Sequence, residues 1–220
     1  MARMLVTART PPLRAAGRDA RPSRLTEYIQ NRAGLLIDHG DGSHSFPHRT
    51  IQEYLAACYL TRTNFPKQLA TLVRADPQRW REVLLFAGEK TALDAPFAVW
   101  ALIDRLSPLP YSSTATITES DWWMALLAGH VLVETGLHRA EGVDLYEIQI
   151  LNNVKAWLLA LLNSPHLSNA DRAIAGANLG RLGDPRRGVG LDQAGLPDID
   201  WIEIAAGPFL MGAQPFTCTL

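Results

Sequence analysis

No glycine is followed by lysine anywhere in these 220 residues. A phosphate-binding loop of the form G-x-x-x-x-G-K-[ST] is therefore absent, and with it the amide cradle and lysine that hold a nucleoside triphosphate. Cysteine is scarce as well. Cys58 and Cys218 are the only two, far apart in sequence, which excludes a disulfide framework. Cys58 falls on the apolar side of an expected helix, where a buried thiol in a reducing, cytoplasmic setting is expected. No apolar run approaches the roughly 20 residues that a membrane-spanning helix needs. The densest, Val154 to Leu162, contains Lys155. Neither sign of charge is in excess: the net charge is −1 with 20% charged residues, so there is no general field for nucleic acid or an acidic membrane. The histidines have no metal-ligand spacing. His39 and His44 flank a turn and are expected in solvent, and His130, one turn from Leu126 and Leu127, is expected as a satisfied core histidine.

What is present is mostly helical punctuation. The first 24 residues carry six arginines against one acid, Asp19, superficially an organelle-targeting leader. Without any period, residues 1–23 read as a disordered basic tail. Leu25, Tyr28 and Ile29 recur at helical spacing up to Gly34. Leu35 to Ile37 and Ser43 to Phe46 read as two short strands around the turn cluster Asp38 to Gly42. The next helix reads with a capping box, Thr50 with Glu53, and an apolar stripe Ile51, Tyr54, Leu55, Cys58 and Tyr59. Helix, hairpin, helix is the outline of a winged helix.

Five further helices carry start signals. Asp76-Pro77 opens one bearing Trp80, Val83, Leu84 and Ala87, with an end expected near Gly88. Asp94 with Pro96 opens another through Leu106. Thr118 to Asp121 opens a third with Trp122, Trp123, Leu126, Leu127 and Val131, closed by Gly136; only one of the two indoles can point squarely inward. Asp144 begins a long one with Ile148, Leu151, Val154, Leu158 and Leu161 on one face. Ser168 caps the last, which ends at Gly183-Asp184-Pro185. Amphipathic helices on short loops must stack to bury those stripes. Val99 to Asp104 imitates the apolar run and aspartate of a Walker B strand, but without a partner loop it reads as a buried helix. Trp201 to Ile204 alternates as a strand, followed by a turn at Gly207-Pro208.

The run Phe46-Pro47-His48-Arg49-Thr50-Ile51-Gln52-Glu53-Tyr54-Leu55-Ala56-Ala57 resembles the winged-helix segment that follows the nucleotide-binding core of NACHT-type signalling ATPases of the STAND class. In that family a Phe-x-His pair ends the wing, and its histidine can touch the phosphates of bound ADP. The resemblance implies that role for His48 toward ATP or ADP, exercised only together with an NTPase core. An imidazole N–H can donate to a phosphate oxygen and adds charge when protonated. The alternative for His48 is a bond to a nearby backbone carbonyl. A DNA-reading winged helix is disfavoured, because the would-be recognition helix carries Gln52 and Glu53 near its start and only Arg62 at its end. Leu179 to Arg186 resembles the end of a HEAT-type repeat, whose glycines let helices approach closely. Ile199 to Gly212 resembles the opening strand of formylglycine-generating-enzyme-like (sulfatase-modifying factor) domains, with Ala205 where that family has proline. Cys218 corresponds to neither catalytic cysteine of that family.

The expected architecture is mainly α. A basic tail (1–23) precedes a winged-helix segment with a small β-hairpin (24–64) and a HEAT-like array of antiparallel helices (65–187). A linker (188–198) then leads to a truncated start of a formylglycine-generating-enzyme-like domain (199–220) with a short β segment. The expected function is that of a non-catalytic regulatory and interaction fragment of a STAND NTPase. It would hold no cofactor itself, partner an NTPase core or another signalling protein, contact neither nucleic acid nor membrane, and be able to self-associate. A truncated formylglycine-generating oxidase and a free-standing HEAT-like adaptor are the alternatives. If the winged helix packs on an ATPase core, Leu35, Leu36 and Tyr54 should be left partly exposed.

Overall fold

The computed structural model describes residues 29, 34–107, 110–111, 116–139, 142, 144–190 and 194–207. The basic tail, the helical positions Leu25 and Tyr28, the turn residue Pro208 and Cys218 lie outside them. Among the described residues the chain forms seven α-helices and one two-stranded antiparallel hairpin. It divides into a first unit ending at Leu182 and a second running from Gly183.

The first unit opens with Ile29 in a helical conformation. Gly34 then turns left-handed (φ 60°) and Leu35 N–H donates to Ile29 O at 3.1 Å. The hairpin strands are shorter than their apolar flanks suggest: β1 is Ile37–Asp38 and β2 is His44–Ser45, with Ile37 opposite Ser45. Leu35, Leu36 and Phe46 stay outside the ladder. Two aspartates shape the turn between them. Asp38 accepts from Gly40 N–H and Asp41 from Ser43 N–H, each at 2.9 Å, the side-chain-to-backbone bonds that favour aspartate in turns.

The helices are α1 (Arg49–Leu60), α2 (Lys67–Ala75), α3 (Pro77–Asp94), α4 (Pro96–Leu106), α5 (Glu119–Thr135), α6 (Leu145–Leu162) and α7 (Asn169–Leu182), with a 3-10 turn at Leu137–Arg139. Asp76 caps α3 by accepting from Arg79 N–H, with Pro77 in the first turn. Thr118 and Asp121 form a reciprocal capping box on α5, and Gly136 ends it at φ 68°. Asp144 and Glu147 form a second box on α6, and Ser168 Oγ accepts from Asp171 N–H at the start of α7. Each satisfies amides that a helix start leaves open.

Three local expectations are corrected. α1 begins two residues earlier than expected, with His48 as its cap residue and no side-chain cap bond. Thr50 is therefore inside the helix, and Glu53 bonds Arg49 Nε at 2.6 Å instead. α3 runs through Gly88 to Asp94. Gly88 is a contact rather than a stop, since a Cβ there would lie 3.1 Å from Val131 Cγ1 on α5. On α6 the buried face is Ile150, Val154, Trp157, Leu158 and Leu161, while Ile148 is exposed.

α5 is the axis of the unit. Burial is unbroken from Met124 to Gly129, the mark of a helix enclosed on every side, and α2, α3, α4, α6 and α7 all pack on it. Trp122 is buried and Trp123 covers the core's edge. Val99 to Asp104 lies within α4, with Val99, Trp100, Leu102 and Ile103 buried, so it is a core helix and no Walker B strand. α1 reaches the core through α3.

The second unit has no strand where Trp201 to Ile204 alternates; the described residues from Ile199 to Gly207 are coil with exposed side chains. A strand needs a neighbour to take its amides and carbonyls, and none is paired with this run among the described residues. Two hydrogen bonds join the described ends of the preceding stretch. Asp198 ties it by accepting from Gly188 N–H and donating its own N–H to Gly190 O, both at 3.0 Å.

Candidate functional site

α1 presents two apolar faces, and the fold uses the smaller one. Glu53, Ala57 and Leu60 are buried against the bundle, with Ala56 half-buried beside them. Alanines let two helix backbones draw close. The bulkier stripe is turned outward: Tyr54 is 49% exposed, Leu55 44% and Tyr59 56%, with Ile51 and Cys58 half-buried between them. Cys58, expected as a buried thiol, is only half-buried, whereas Tyr54, Leu35 and Leu36 are partly exposed as expected. Cys58 is a free, half-buried thiol. Its bond to the Tyr54 hydroxyl raises that phenol above its ordinary value. Tyr54 also meets Phe86 of α3 edge-on at 5.9 Å, so the outward face continues onto α3.

His48 stands at the head of this face, three residues before Ile51. Its backbone is extended (φ −120°, ψ 122°), and its carbonyl accepts from Ile51 N–H at 3.2 Å and Gln52 N–H at 3.4 Å. The helix start thus fixes where the residue sits. The ring itself is in solvent. No bond from it to a backbone carbonyl is present among the described residues.

Beside His48 a cleft of about 390 Å³ runs between α1 and the start of α3, lined by Arg49, Gln52, Glu53, Arg79, Trp80 and Val83 among others. Glu53 is the unexpected member. It is 9% exposed, and a carboxylate so buried needs a partner, which Arg49 supplies from the solvent side. The signal was the four-residue spacing of Arg49 and Glu53, which competes with the capping-box reading of the same glutamate. Arg79 lies over the Trp80 ring at 5.9 Å.

The other histidines take ordinary places. His39 and His44 are exposed in the hairpin, and His39 Nε2 lies 2.9 Å from Ser45 Oγ. His130 is half-buried between α3 and α5, its Nδ1 accepting from Arg81 Nη2 at 3.3 Å and its Nε2 3.6 Å from Glu134. Burial, and then the neighbouring Arg81 charge, hold its pKa below the usual histidine value. Among the described residues no group of three potential ligands could hold a metal. No helix among them is long and apolar enough to cross a membrane.

Residues 13–60 match the family described as the winged helix-turn-helix domain C-terminal to NACHT. The match ends at Leu60, the last residue of α1, and so takes in the hairpin, His48 and the outward stripe. This part of the chain is similar to a NACHT-associated winged helix. No curated protein and no solved structure gives a match.

Proposed function

We propose that the chain is a non-catalytic regulatory region of a STAND-type NACHT ATPase, and that the outward face of α1 docks on the nucleotide-binding core. The observation that carries this reading is the bulky stripe Tyr54, Leu55 and Tyr59, left about half exposed within the segment that matches the NACHT-associated family. A helix that buries its alanines and exposes its tyrosines has its larger apolar face free for another surface. In the docked state His48, fixed at the head of that face, donates to a phosphate of ADP or ATP held by the core. Loss or change of the nucleotide then alters this contact and releases the winged helix. Helices α2 to α7, read as a HEAT-like array, relay that movement in the cytoplasm, with protein partners and no nucleic acid. The sequence from Ile199 onward leads toward a formylglycine-generating-enzyme-like module; its motif Trp201-Ile202-Glu203-Ile204 supports this, and the segment contributes no catalysis of its own.

The test starts from the coding DNA on both sides of this segment. A neighbouring core with a Gly-Lys-Ser/Thr loop is then co-expressed with the chain and purified with ADP. The expected result is a stable complex that Leu55→Asp disrupts, together with faster ADP release on His48→Ala while the complex persists. The absence of any such core, or a complex indifferent to Leu55→Asp, refutes the reading.

A further inference from the structure

Four aromatic rings meet where the start of α5 faces α6 and its flanking turns. Tyr111 stands edge-on to Trp157 (centroids 5.3 Å apart), Trp157 edge-on to Trp122 (5.5 Å), and Tyr111 tilts toward Trp122 at 6.4 Å. His166 stacks on the Trp122 indole, with centroids 5.7 Å apart and planes at 20°. Beside them opens a cavity of about 560 Å³, walled by Tyr111, Trp122, Leu159, Asn163, Ser164 and His166 among others. It is a shallow depression largely open to solvent rather than an enclosed pocket.

Core packing explains the contact of Trp122 with Trp157 but leaves two features open. Trp122 is 5% exposed, and its indole N–H has no acceptor among the described residues. A buried donor without an acceptor is costly. Among the described residues, the lining also contains no acid, lysine or arginine.

We propose that this cavity recognises an uncharged, proline-rich extended segment of a partner protein. With no acid, lysine or arginine among its described lining residues, the cavity offers no permanent charge to a buried phosphate, carboxylate or ammonium group. A proline-rich segment complements it: every residue brings a carbonyl acceptor, and its prolines bring no N–H that would need satisfying. Proline rings pack on aromatic faces, and the polyproline conformation is already formed before binding. A five-membered ring already lies near-parallel to the indole: that of His166, offset with its centroid 5.7 Å away. His166 is exposed, in the turn after α6, so it can leave without disturbing the core. A proline ring takes its place and sets a carbonyl against the indole N–H. His166 is thus a cover over the site, and the proposal is independent of the winged-helix reading.

The experiment uses the full chain and an acetylated, amidated peptide of repeating Pro-Pro-Leu, with an alanine-for-proline peptide as control. Nitrogen-15 spectra follow the Trp122 indole N–H, identified by its disappearance in Trp122→Phe, and calorimetry gives affinities. The indole resonance should move downfield with the proline peptide alone. Trp122→Phe, which keeps a ring but removes the donor, should weaken binding about tenfold. His166→Ala should tighten it roughly fivefold by removing the competing ring. Opposite signs from two neighbouring residues are not expected of a purely structural cluster. An unmoved indole resonance, an equal response to the alanine peptide, or unchanged affinity in both variants overturns the proposal. So does a planar heteroaromatic such as indole binding there while the peptide does not.

Discussion

Replacing Gly129 by alanine tests how tightly α5 and α6 are packed. A Cβ at this position would lie 2.8 Å from Leu158 Cδ1, 3.2 Å from Cδ2 and 3.4 Å from Cγ. Leu158 is fully buried, so its branched end has no vacant side to turn into. Overpacking of this kind costs about 1–3 kcal/mol, against a gain of about 1 kcal/mol from replacing a mid-helix glycine. The expected net effect of Gly129→Ala is a loss of about 1 kcal/mol, the difference of those two magnitudes. Gly180 on α7 is the internal control, since nothing lies within 4 Å of its added Cβ. Gly180→Ala should therefore stabilise by about 0.5–1 kcal/mol. The same substitution thus has opposite signs on two helices of one unit. Urea unfolding followed by helical circular dichroism reads both, with the denaturant slope checked for constancy. A Gly129→Ala protein as stable as the parent would refute the packing argument, as would a destabilised Gly180→Ala. The second result would instead restore the expectation that the glycines of Leu179 to Arg186 serve close helix approach.

The half-buried His130 sets a pH response. Its folded pKa lies below its ordinary 6.5, so the unfolded chain binds the proton more readily. Stability is therefore full above about pH 6.5 and declines as the pH falls toward the folded value. Arg81, Glu82, Glu134 and Arg181 are the charges that surround it. His130→Gln should flatten the stability profile in that window, and an unchanged slope in urea titrations at several pH values would count against it. Asp121 titrates in a lower window. Desolvation pushes its carboxyl up, but bonds from Arg74 and Thr118 outweigh this and leave its pKa below 3.8, so its contribution is lost only as the pH falls below that value. Thr118→Ala should cost about 1 kcal/mol through the lost capping box; a change within error in a urea melt would show that water replaces the cap. Tyr59→Ser should alter stability by no more than about 0.5 kcal/mol, and a larger loss would place that ring in the interior after all.

What could be read from the sequence follows the range of each signal. Thr118 with Asp121, Asp144 with Glu147, Asp76-Pro77 and Gly136 act within a few residues, and each marks a helix end in the structure. Gly88 has the same letter as a helix stop, but its role is set by Val131 on another helix, which no local pattern records. Glu53 fits two local rules, a capping box with Thr50 and an ion pair with Arg49, and the start of α1 at Arg49 decides between them. Trp157 escaped the expected stripe of α6 because Ile148 fits the same period; the position of the Asp144 cap does not reveal which neighbour the helix will face. The outward stripe of α1 shows the limit most clearly. Periodicity identifies apolar faces but not which of two has a partner inside the chain. Ala56 and Ala57 allow the approach to α3, so the face with less apolar surface is the one packed. Were α1 merely a core helix, packing Tyr54, Leu55 and Tyr59 inward would bury more apolar area and be favoured at roughly 25 cal/mol per Å². In the proposed docking, a second surface covers the exposed halves of those three side chains and supplies that gain.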